Sequence, residues 1–199
     1  LELFVDGQAR EIPGGEPFSK ALEAIRRELS AGGRAIMSIH HNGAELSVEE
    51  ENALCARPAG ELGRVDLRST PAREWGLHGL GEVASALGQL GDQFRVSADL
   101  FRAGQLSQGL DRANEVIGLF MSVLQALSTS LGLIGAASAG DLRSGIEGVV
   151  GAMRELEGAV RSGDAVAAAD IAEYRLPEEL EALAARVRAL ASSGGRGGQ

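Results

Sequence analysis

Cysteine is almost missing from this chain: Cys55 is the only one in 199 residues. A single thiol excludes an intrachain disulfide and any zinc site built on several cysteines, and it fits a reducing compartment. Lysine is equally scarce, with Lys20 the only one among 19 basic residues. The arginines around it read as base composition of the coding sequence rather than as phosphate recognition. Both halves of the chain carry an acidic excess, and the net charge is -9. Neither half offers the concentrated cationic surface that nucleic acid requires. Aromatics make up 4% of the residues, Trp75 and Tyr174 each being the sole example of its kind.

Histidine is limited to His40, His41 and His78. Neighbouring residues on a strand point to opposite faces, so His40 and His41 do not converge on one metal, and no other spacing suits three or four ligands. No phosphate-binding loop, dinucleotide fingerprint or nucleophile elbow occurs at a strand-to-helix junction. Pro13-Gly14-Gly15 joins a strand to a helix but is too short and lacks the Lys-Ser/Thr pair. These absences predict a chain that is not an enzyme and holds neither cofactor nor metal. The opening Leu-Glu-Leu-Phe-Val-Asp-Gly has no basic n-region and no apolar h-region, which predicts a cytoplasmic location.

What the sequence does contain falls into two unlike stretches. Residues 1–12 alternate as a strand pair around Asp6-Gly7, a dipeptide suited to the positive φ angles of a tight hairpin. Phe18, Leu22, Ile25 and Leu29 recur at helical spacing and stop at Gly32-Gly33. Ala35 to His41 reads as a strand, Asn42-Gly43 as a second hairpin turn before Ala44-Glu45-Leu46, and Arg64 to Arg68 as a last strand. Glu49-Glu50-Glu51 reads as a solvated turn or helix start. The element order resembles the β-grasp, ubiquitin-like superfold, which hosts carriers, tags and adaptors and so identifies no function.

From Thr70-Pro71, an expected N-cap and first helical residue, the period lengthens to about 3.5. Apolar runs over 77–101, 106–134 and 142–160 imply three long helices broken near Gly104, Gly140 and Gly163. Asp164 caps a short helix reaching Tyr174, and Pro177 opens the last, with Leu180, Leu183, Val187 and Leu190 inward. The predicted class is therefore α+β: a small β-grasp domain over 1–69, an antiparallel bundle of four to five helices over 70–191, and a flexible Gly-rich tail over 192–199. Glycines within the helices mark either close helix contacts or a soft bundle.

Residues 116–140 contain no charge and are numerous enough to span a bilayer. Gly118, Ser122, Gln125, Thr129 and Gly132 form a polar stripe along them, as expected of a central bundle helix, and the flanking arginines give no topological bias. The most distinctive stretch is Asp164-x-Val166, then Asp170-Ile171-x-Glu173-Tyr174-x-Leu176-Pro177, together with Asp99-Leu100-Phe101-Arg102-Ala103-Gly104 and Gly109-Leu110. This pattern resembles a set of uncharacterised bacterial proteins that pair a small β domain with a helical bundle, and the resemblance implies no activity. Within it, Asp170, Glu173 and Tyr174 fall in one helical turn and are placed to meet an arginine from a neighbouring helix. The Gly197-Gly198-Gln199 end resembles that of the prokaryotic ubiquitin-like protein, a short and mostly disordered tag unlike this patterned chain.

The reading that results is a protein-binding or assembly protein, an adaptor or scaffold, whose partner is another protein or a second copy. Two alternatives stand beside it. One is an enzyme or small-ligand binder with Trp75, His78, Asp170, Glu173 and Tyr174 in a bundle pocket. The other is a membrane-tethered subunit held through residues 116–140.

Overall fold

Two hairpin turns set the sheet. Asp6 and Gly7 take φ of 49° and 80°, and Asn42 and Gly43 take 52° and 88°. Such paired positive angles are the ones whose twist matches the strands they join. The first turn links β1 (Glu2–Val5) to β2 (Gln8–Arg10), and the second links β3 (Arg34–His41) to β4 (Ala44–Glu45). The computed structural model describes residues 2–12, 16–135 and 140–194, so Pro13-Gly14-Gly15 and the Gly197-Gly198-Gln199 end lie outside the described residues.

With β5 (Arg64–Pro71) the strands form a mixed sheet in the order β2-β1-β5-β3-β4. β1 and β5 are parallel and the other pairs antiparallel. Alternation puts Leu3, Val5, Val65, Leu67 and Ile39 on one face, where α1 (Phe18–Ala31) lays Phe18, Leu22 and Ile25 against them. The acidic run is a helix, α2 (Val48–Cys55), because Ser47 and Glu50 complete a reciprocal capping box at its start.

Asp6 fastens three strands. Its carboxylate accepts from the Ser69 N–H at 2.8 Å, the Ser69 hydroxyl at 2.6 Å and the Arg34 guanidinium at 3.3 Å. The two Ser69 hydrogen bonds, followed by the Arg34 charge, hold this carboxyl below its ordinary value. A depressed carboxylate pKa stabilises the fold above the unfolded-state value of about 4 and loses that contribution as pH falls through the folded value. Resistance of the sheet unit to urea should therefore fall more on acidification from about pH 6 to about pH 3 in the natural protein than in Asp6→Asn. Equal losses in the two proteins would remove Asp6 as a source of the pH dependence.

In the second stretch the regular elements among the described residues are all helices: α3 (Ala72–Arg102), α4 (Leu106–Ile134), α5 (Gly140–Ser162), α6 (Ala165–Asp170) and α7 (Leu176–Gly194), with a π turn between the last two. By backbone proximity the chain divides between Trp75 and Gly76, several residues beyond the boundary expected at 69/70. Thr70 and Pro71 are not an N-cap and first helical residue. They extend β5, because β3 is long enough to offer Ala35 and Arg34 as their partners. The α4 break falls at Gly135, whose φ of 64° ends the helix. Ser192 and Ser193 belong to α7 rather than to the expected tail.

Several glycines are contact points in the helical unit. A Cβ on Gly76 would lie 2.6 Å from Ile134 Cγ2, and one on Gly109 would lie 2.5 Å from the Phe101 ring. α4 is not the central helix that its composition suggests. It buries Ala113, Val116, Phe120 and Leu127 on one side and leaves its polar stripe in solvent.

The most consequential departure lies at residues 171–175. Instead of two helices meeting at Pro177, α6 and α7 continue through a π turn over Ile171–Arg175, with the Leu176 N–H donating to the Ile171 carbonyl. Asp170, Ile171 and Leu176 keep right-handed helical angles, so the chain never leaves the helix. In a regular α-helix the Pro177 ring would press on the Glu173 carbonyl and could not donate to it. A widened turn ahead of it relieves that clash.

Candidate functional site

The sequence-selected residues separate in space. His78 is exposed near the start of α3, whereas Glu173 pairs with Arg102 at the other end of the same helix. Arg102 lies 24 positions after His78 along α3, about 36 Å of rise. His78 is therefore not part of one pocket with Asp170, Glu173 and Tyr174. Trp75 is half-buried one turn before His78 on α3.

The π turn sorts the remaining three. Glu173 turns inward to the Arg102 guanidinium, the interhelical arginine that the sequence pattern calls for. Asp170 and Tyr174 line a shallow outer groove with Glu155, Ile171, Arg175 and Glu178. Tyr174 is 62% exposed, which leaves its phenol at the surface rather than in a cavity. Arg175 is held by Glu179 at 2.7 Å, with Glu155 at 4.0 Å. This groove is open and acidic.

His40 and His41 occupy opposite faces of β3. The His41 Nε2 meets the Leu62 carbonyl at 2.7 Å. His40 joins a row across the other face, aligned with Asp66 on one side and Glu45 on the other. Phe4 lies next in register and carries the Arg64 guanidinium 4.5 Å above its ring. The double hydrogen bond from Arg64 holds the Asp66 carboxyl below its ordinary value. Register alone creates this row, and single-strand patterns did not reveal it.

Burial, then the charge of Glu51, pushes the Cys55 thiol up, which suppresses the thiolate that would be needed for nucleophilic chemistry. Among the described residues no three His, Cys, Asp or Glu side chains cluster as metal ligands.

An unusual surface lies on α4. Gly118, Ser122, Gln125, Thr129 and Gly132 are all exposed, at spacings of four, three, four and three. Met121 at 61% and Leu119 at 46% exposure flank them. Ser122 and Thr129 donate their hydroxyls to the Gly118 and Gln125 carbonyls one turn back, which leaves the Gln125 amide as the chief polar group on this face. By length and composition α4 could cross a membrane, yet only 17% of its most apolar stretch is buried. No protein-family model, curated protein or solved structure matches the chain.

Proposed function

We propose that this chain is a non-enzymatic assembly protein, an adaptor or scaffold, that engages another protein or a second copy through the exposed face of α4. One observation carries the reading: from Val116 to Ile134 this helix has no charged residue, yet about half of these residues are exposed to solvent. A solvated helix face normally carries charge, and a long uncharged one marks a surface that is covered in use. The heptad-like spacing suits a second helix, and the back-bonded hydroxyls reduce the cost of covering them. A β-grasp assignment for the sheet unit belongs to the same reading, supported by the strand order and by the packing of α1 against one face. So does a cytoplasmic location.

The test is a photo-reactive residue at Gln125, introduced in cells that make the protein, with analytical ultracentrifugation of the purified chain. A discrete cross-linked species is expected, and it should disappear when Ser122→Glu and Thr129→Glu are added, with the circular dichroism spectrum unchanged. A chain that stays monomeric and uncross-linked, or an assembly indifferent to both charges, would sink the reading.

The apolar length of α4 favours a second reading, a membrane-tethered subunit. Against it, the Gln125 side-chain amide, unlike the back-bonded Ser122 and Thr129 hydroxyls, would have to be desolvated near the middle of the lipid-facing surface. Co-flotation of the untagged protein with native vesicles after a carbonate wash would favour the tether; recovery at the bottom of the gradient would reject it.

A further inference from the structure

A second feature of the helical unit stands apart from the α4 outer face. Leu110, Asn114 and Ile117 of α4 and Val150, Met153 and Arg154 of α5 line a groove of about 200 Å³. Both helices present residues three, four and seven apart, so the groove is built from one face of each. Its floor is apolar, with Ala113 and Leu156 buried beneath it. Asn114, Arg154 and Glu157 reach its mouth and are exposed.

The charges at that mouth are not balanced. Glu157 is paired with Arg161 one turn on, whereas Arg154 has no ion-pair partner among the described residues. An apolar trough with a solvent-exposed guanidinium, outside any ion pair among the described residues, and a carboxamide at its rim is complementary to an apolar chain that ends in an anion. Guanidinium selects a carboxylate by presenting two parallel N–H donors, and the Asn114 amide is a further donor. We propose that the groove between α4 and α5 binds an unbranched medium-chain carboxylate, with its alkyl chain along Ile117, Val150 and Met153 and its head group on Arg154.

The span of the groove sets the chain length. Leu110 to Ile117 on α4 and Val150 to Glu157 on α5 each cover about 10 Å of helix rise, which accommodates an extended chain of about six to eight carbons, hexanoate to octanoate.

The probes are butanoate, hexanoate, octanoate and octanol, titrated into the isotopically labelled full chain. The readout is the methyl signals of Met153 and Ile117. Saturable shifts are expected at both, with affinity rising up to about fourfold for each added methylene. Octanoate should outcompete octanol, and Arg154→Gln should weaken octanoate about tenfold while leaving octanol unchanged, as loss of one charge-assisted hydrogen bond predicts. Arg154 is exposed, and an unaltered melting temperature will confirm that the variant folds. Absence of shifts at Met153 and Ile117 overturns the proposal. So does equal binding of octanol and octanoate, which would describe a trough for the apolar side chain of a partner, or an Arg154→Gln variant that binds octanoate unchanged.

Discussion

Phe18→Ala is expected to unfold the sheet unit at room temperature, at a cost of about 3–5 kcal/mol. Phe18 is fully buried and begins α1, so its ring is the first point at which the helix locks onto the strands. Its N–H donates to the Arg57 carbonyl at 3.0 Å, and the adjacent Pro17 bridges to Pro58, which ties the segment after α2 to the same place. The core it completes is small, with Leu3, Leu22, Leu62, Val65 and Leu67 the other large members that are almost fully enclosed. A single core of this size supplies only about 3–5 kcal/mol of net stability, so the loss of one phenylalanine consumes most of it. Hydrogen exchange gives the check: the His40 and Leu67 amides, which the sheet register turns toward β5 and β1, should exchange far faster in the variant. Protection that survives at those two amides would show that α1 is anchored elsewhere.

The second large effect concerns Phe101 and Gly109. Phe101 is fully buried, and Phe101→Ala should cost about 3–5 kcal/mol. Its ring lies where a Cβ on Gly109 would fall, at 2.5 Å, so Gly109→Ala should cost about 1–3 kcal/mol by overpacking despite its better helix propensity. The two positions share one space, and their effects should not add. Phe101→Leu removes ring atoms at the point where Gly109→Ala adds one, so the double variant should be more stable than the sum of the single losses by at least about 1 kcal/mol. A double-mutant cycle in urea measures this. Strict additivity would mean that the helices re-space to accept the methyl group, and the close contact would then not be what holds glycine there.

Much of the architecture was readable before the structure, for identifiable reasons. Asp6-Gly7 and Asn42-Gly43 announce hairpins because few other pairs adopt two successive positive φ angles. The apolar spacing of α1 and of the long helices survives because burial on one side enforces it. What failed did so where a local signal competed with pairing or packing. Thr70-Pro71 has the chemistry of a helix start, yet strand partners on β3 were available to it. The stripe from Gly118 to Gly132 has a helical period, but periodicity cannot say whether a face is covered. The candidate residues fared unevenly. Asp170, Glu173 and Tyr174 share a turn as read, but π geometry divides them between an inner ion pair and an outer groove. His78 joined them only by chemical plausibility, and sequence distance along a single helix set it at the far end. The row from Phe4 to Glu45 depends on register across four strands, which no stretch of sequence encodes alone.

The π turn also bears on how this chain could have changed length. A helix that wraps one residue too many within a turn bears the mark of an insertion absorbed in place, with the faces before and after it still aligned to their neighbours. Loss of a residue from within α5 would rotate everything downstream by about 100° and turn its core face toward water. Loss of one residue between Ile171 and Arg175 would instead restore the ordinary pitch and keep Ala168 and Leu180 facing inward. Pro177 is then the element that makes the longer form preferable, since the shortened turn would return its ring to the carbonyl that the wider one avoids. Segment length and proline position are thus coupled here, and a chain that loses the one gains freedom to lose the other.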